Sequence, residues 1–137
     1  DGEPLSILQG VNEFDQPHPT EEHLQARLNE YGDFPVEPAL PISFPADVDI
    51  QGEYLLLPDL HARVIIFDGD NKIVANLGYD PDWTQQVLAD RFAMRGNPAR
   101  WEDGRFVHPH DACFDADGNI FVTEWVASGR VSFLRRV

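Results

Sequence analysis

Beyond residue 43 the apolar positions fall in short runs rich in β-branched and aromatic residues, cut by Asp-Gly and Gly turns. That is the pattern of strands joined by tight connections. Residues 107–134 predict three strands. The first carries Ala112, Cys113 and Phe114, the second runs from Asn119 to Trp125, and the third from Arg130 to about Leu134. Asp115-Ala116-Asp117-Gly118 links the first two, its Asp-Gly supplying the positive φ angles of a tight hairpin.

The same outline occurs a second time. Pro45 and Asp47 match Pro109 and Asp111, Gln51-Gly52 stands at the turn, Tyr54 to Leu57 form the second strand, and Arg63 to Phe67 the third. This copy continues into a fourth strand, Lys72 to Leu77, entered by Asp68-Gly69 and left by Gly78. The chain opens on that fourth-strand pattern, Asp1-Gly2-Glu3-Pro4-Leu5-Ser6-Ile7-Leu8-Gln9-Gly10. The period is about 65 to 68 residues, long for one sheet of a repeat array because each copy carries a helical insert.

In the first insert Thr20 is the N-cap, Leu24, Leu28 and Tyr31 share one helix face, and Gly32 ends it. Pro35, Pro38, Pro41 and Pro45 then mark an extended linker. In the second, Asp80 is the N-cap, Pro81 the first helical residue, and Trp83, Val87 and Leu88 the apolar face. Residues 94–104 predict an irregular loop whose Arg95 and Trp101 either handle a ligand or, for Trp101, plug the loop onto the sheet.

Strand, Asp-Gly turn, strand, loop and Arg-Val strand resembles a blade of the NHL-type six-bladed β-propeller family, above all in Val107-His108-Pro109-His110-Asp111 and the run that follows. The resemblance implies an all-β fold: part of a six-bladed propeller, about two four-stranded blades with two short helical inserts. The organisation expected is residues 1–10 as the fourth strand of a preceding blade, 11–43 as helical insert and Pro-rich linker, 44–78 as a complete blade, 79–106 as helical insert and loop, and 107–137 as a last blade lacking its fourth strand. Two blades leave apolar faces and strand edges open. The chain therefore reads as a C-terminal piece, completed by the remaining blades of a longer parent chain or by self-association that closes the ring.

The formal net charge of −14 changes the list of partners: phosphate recognition needs a basic surface, so nucleic acid is excluded. No apolar run approaches the ~20 residues of a membrane span, so no membrane partner is expected. Acidity fits an extracytoplasmic setting, periplasmic or secreted. The single cysteine, Cys113, forms no internal disulfide and is expected to be a small buried hydrophobe.

Candidate chemistry gathers at His108-Pro109-His110-Asp111, which the resemblance places at the mouth of a central channel. Together with Arg95 and Trp101, His108, His110 and Asp111 are the expected ligand-binding residues. Two histidines flanking a proline do not readily share a metal, although alternation along an extended chain points both rings to one side. Imidazole is a good zinc ligand. One branch of the fold class, the peptidyl-hydroxyglycine amidating lyases, is similar in this motif, and that similarity implies zinc held by His110, with His108 beside it. Ala46 stands where the complete blade would need the matching histidine.

Arg63 and Arg130 occupy equivalent places, as do Asp47 and Asp111. Residues repeated in both copies predict structure rather than catalysis, with the arginines in ion pairs. His61 follows in the loop before Arg63. The chain thus reads as a non-catalytic binding or scaffold module with a ligand site at the channel mouth. The alternative is a metal-dependent lyase or hydrolase, and a third reading is an extracellular adhesion module.

Overall fold

The structure is a computed structural model that describes residues 42–137. The opening strand, the first helix and the linker prolines before Ile42 lie outside the described residues. What is described is mostly β: two antiparallel sheets and one α-helix. In the first sheet β1 (Asp49–Gln51), β2 (Tyr54–Asp59), β3 (Arg63–Phe67) and β4 (Ile73–Leu77) pair in chain order. In the second, β5 (Pro109–Phe114), β6 (Ile120–Glu124) and β7 (Arg130–Leu134) do the same.

The turns form where short polar side chains can hold them. Asp115 Oδ1 accepts the N–H groups of Asp117 and Asn119, each at 2.9 Å. Asp68 Oδ1 does the same for Asp70 and Lys72, again at 2.9 Å. Both are side-chain-stabilised turns in which Asp substitutes for a backbone acceptor. Gly118 and Asn71 carry the positive φ angles of these two turns, and Gly52 that of the β1–β2 hairpin.

The sheets pack face to face. Leu56 and Val64 of the first sheet meet Ala112, Ile120 and Val122 of the second, with Phe106 at the edge of the cluster. Each fully buried aliphatic side chain contributes roughly 1.5–3 kcal/mol to this layer. Two polar bonds fix the stacking: Phe114 N–H donates to Asp49 Oδ2 (2.9 Å), and Gln51 Nε2 donates to the Asp115 carbonyl (2.5 Å).

The registers of the two sheets coincide. Across the first sheet Asp49, Leu56 and Ile66 stand in one row, and Ile50, Leu55 and Phe67 in the next. Their counterparts in the second sheet are Cys113, Phe121 and Phe133, then Phe114, Ile120 and Leu134. The row containing Leu56 faces the second sheet. Its counterpart row faces solvent, with Phe121 39 %, Phe133 50 % and neighbouring Val131 64 % exposed. The second sheet therefore presents outward the face with which the first sheet receives it.

That geometry overturns the expectation for Cys113, which is exposed. Strand alternation turns Ala112 into the core and its neighbour outward. A second correction concerns residues 94–104. Instead of an irregular loop throughout, 3₁₀ turns cover Ala89–Gly96 and Pro98–Arg100, the latter capped by Asn97, whose side chain accepts the Ala99 N–H.

Helix α1 (Pro81–Leu88) begins as the sequence predicts. Asp80 accepts the Trp83 N–H at 3.0 Å, Pro81 opens the first turn, and Trp83, Val87 and Leu88 are buried together with Thr84. Trp83 Nε1 donates to the Phe106 carbonyl (2.5 Å), which draws the end of the insert back to its beginning. No helix among the described residues is long and apolar enough to cross a membrane.

Candidate functional site

At the end of the sheets remote from the Asp-turn hairpins, each sheet carries an acid–arginine pair whose acid is buried. In the first, Asp59 ends β2 and Arg63 begins β3, with Arg63 Nη2 2.9 Å from Asp59 Oδ2. In the second, Glu124 ends β6 and Arg130 begins β7, with Arg130 Nε 3.0 Å from Glu124 Oε1. The arginines thus form the ion pairs expected of them. The acids also hold the chain entering each sheet. Asp59 accepts the N–H groups of Ser43 (2.9 Å) and Phe44 (3.0 Å), and Glu124 accepts that of Val107 (2.6 Å).

The two acids sit in different electrostatic surroundings. Burial alone would raise Asp59, but Arg63, His61 and the N–H donors of His61 and Ser43 outweigh it and hold the carboxyl below its ordinary range. For Glu124 burial prevails over the Val107 N–H, Arg130 and Ser132, and its carboxyl is pushed up.

The His-Pro-His motif is split by the fold. His108 is fully buried, its Nδ1 2.8 Å from the Leu60 carbonyl oxygen. Burial pushes its imidazole down to about 4, with Arg95 and His61 acting in the same direction against the Leu60 carbonyl. It is a neutral ring at pH 7, and its Nδ1–H is the donor to Leu60. The register of β5 against β6 shifts between Pro109 and Asp111, which breaks the simple alternation. His110 is consequently exposed, in edge contact with Trp125 at 5.9 Å between ring centroids.

Trp125 is the centre of the exposed part of the site. It is 46 % exposed, and the Arg95 guanidinium lies over its ring, 3.5 Å from the centroid. The Ala127 N–H donates to the Arg95 carbonyl (3.0 Å), which ties the 3₁₀ segment to the β6–β7 loop. Beside His110, the Asp47 and Asp111 side chains are hydrogen-bonding neighbours. Asp47 is held low by the Val48 N–H and by that bond. Asp111 is pushed up, first by the bond and then by burial. The arrangement offers a guanidinium on an aromatic ring, an imidazole, and a carboxyl pair along one open face.

Arg95, His110 and Asp111 thus lie along one exposed surface, while His108 lies beneath it. Trp101 is not part of this surface: its Nε1 donates to the Met94 carbonyl (2.8 Å), and its ring packs on the cluster of Trp83, Val87 and Met94. Of the two roles open to Trp101, this is the plug. Trp125 was not singled out by the sequence, though Phe121, Thr123 and Trp125 follow one another at the outward-facing positions.

For a zinc ion the donor set is short. His108 and His110 have different surroundings, and among the described residues no three His, Cys, Asp or Glu side chains gather where a metal would be held. A catalytic zinc site ordinarily takes three protein ligands. The described residues do not fit that group, and no reaction step is derived through it.

No protein family, curated protein or solved structure matches the chain.

Proposed function

We propose that the two sheets are consecutive blades of an NHL-like six-bladed β-propeller and that the chain works as a binding module in an extracytoplasmic setting. The remaining blades come from a longer parent chain or from further copies. The observation that carries this reading is the match of rows between the sheets: the face of the second that is open to solvent is the counterpart of the face by which the first receives it. Contacts of that kind are head-to-tail, and they form a ring where the rotation from one to the next closes.

The ligand site of the module is the open face of Arg95, Trp125, His110 and Asp111. It is non-catalytic, because its charged groups are committed to stacking and to a carboxyl pair rather than to a nucleophile. Zinc titration followed by metal analysis tests the choice between binding module and metal-dependent lyase or hydrolase. No stoichiometric zinc is expected. Stoichiometric zinc that disappears in His110→Ala would overturn the reading in favour of the enzyme.

A further inference from the structure

We propose that Trp101 is the positioning residue of the ligand face: through the Met94 carbonyl it sets where Arg95 leaves the backbone, and so holds the guanidinium over Trp125. The proposal rests on reading Arg95, Trp125, His110 and Asp111 as that face, and it adds what fixes the shape of the face. Trp125 follows the last residue of β6, whereas Arg95 belongs to the 3₁₀ segment Ala89–Gly96 of the insert. The face is therefore assembled from two elements, and its geometry depends on how the second is tied down.

The stack does not tie itself. An exposed cation–aromatic contact gains little more than the rotamer freedom that a long side chain gives up to make it. A 3₁₀ segment has poorer hydrogen-bond geometry than an α-helix, and long runs of it are uncommon. Arg95 therefore stays over Trp125 only where contacts from outside the segment deliver its backbone to that place.

Those contacts fall on two consecutive carbonyls. That of Met94 accepts the Trp101 Nε1–H (2.8 Å) and the Asn97 N–H (3.1 Å), and that of Arg95 accepts the Ala127 N–H (3.0 Å). Trp101 reaches back because Asn97 caps the 3₁₀ turn Pro98–Arg100, which the Trp101 N–H closes by donating to the Pro98 carbonyl (3.1 Å). The Met94 side chain is buried and shares a cluster with Val126, which stands between Trp125 and Ala127 in the chain. The Arg130 guanidinium lies 6.0 Å from the centroid of the Trp101 ring, and Arg130 pairs with Glu124, the neighbour of Trp125. Both partners of the Arg95–Trp125 stack are thus anchored at the end of β6, Trp125 by the chain itself and Arg95 through Trp101 and Ala127.

Proton NMR of the full chain tests this. Stacked on Trp125, the Arg95 side-chain protons should be shifted upfield by the ring current, and Trp125→Leu, the control, should abolish that shift. Trp101→Phe keeps an aromatic plug but removes the N–H donor. It should lose most of the Arg95 shift, and the Ala127 amide should exchange roughly tenfold or more faster, while the amides of β5–β7 stay as they were. An Arg95 shift undiminished in Trp101→Phe would overturn the proposal. So would a loss that comes only with faster exchange throughout β5–β7, the mark of a plug that supports the fold and nothing more. Should the variant not fold, the unaltered chain decides: in urea below the unfolding transition the Trp101 indole N–H and the Ala127 amide should open together, and independent opening overturns the proposal. All of these signals are read without ligand or metal, so their failure leaves the binding-module reading to the zinc measurement.

Discussion

His108 of the second sheet's entry donates its ring N–H to the backbone carbonyl of Leu60, in the β2–β3 loop of the first sheet, over 2.8 Å. The bond crosses the junction of the two sheets and orients the imidazole. A protonated ring would keep this bond but place a charge in a site with no access to water.

Stability is expected to fall as pH drops from about 6.5 toward 4. In that window the unfolded chain binds a proton at His108 that the folded chain does not, so the folded state gains as pH rises. The depression to about 4 corresponds to roughly 3 kcal/mol across the window. Urea unfolding at pH 4.5 and 7 measures it. His108→Gln, which keeps a donor but cannot titrate, should flatten this part of the profile.

Below about pH 4 Asp59 adds a second loss. Its folded value lies below the ordinary carboxylate value, so the stability that it contributes is present above that value and disappears as pH falls through the folded one. Asp59→Asn leaves Arg63 buried without its counter-charge and should cost about 3–5 kcal/mol. Glu124→Gln should cost less. Burial already favours the neutral form of Glu124, and Arg130 is 18 % exposed. Paired denaturation curves of the two variants check the order.

Gly78→Ala should destabilise by about 2 kcal/mol or more, through two separate causes. The position has φ +74°, and an added Cβ would lie 2.6 Å from Phe106 Cδ2. Truncating Phe106 to Leu in the same chain should recover the steric part and leave the backbone part. A thermal melt of the single and double variants separates them.

Phe133→Glu should leave the stability of the fold within about 0.5 kcal/mol while lowering association, because this side chain is half exposed and packs mainly on Phe121, 4.9 Å away. Light scattering over a range of concentrations reads the difference. Association that is unchanged by the charge would show that this face is not a contact.

The strands, the Asp-held turns, the cap of α1 and the ion-pairing of Arg63 and Arg130 were legible in the sequence, because each rests on local chemistry or on a repeated position. The pairing partners were harder to read: Asp59 and Glu124 are different residue types at one structural place, so the repeat does not display them as equal. Cys113 was misplaced because residue type suggested burial, whereas alternation set its side. The separation of His108 from His110 depends on a register shift in β5, and nothing in the motif itself marks one. Trp125 rather than Trp101 became the exposed aromatic because Trp101 found a backbone acceptor in Met94, a contact that only the folded loop supplies.

The insert between the sheets leaves at Gly78 and returns at Phe106, and these two residues touch. Its ends are therefore fixed at one point, by that contact and by the bond from Trp83 to the Phe106 carbonyl. Lengthening such a closed excursion is inexpensive, because closure entropy grows only with the logarithm of its length. The rim of this protein is thus a socket: a different excursion, carrying different recognition chemistry, could be seated between the same two residues while the sheets beneath it stay as they are.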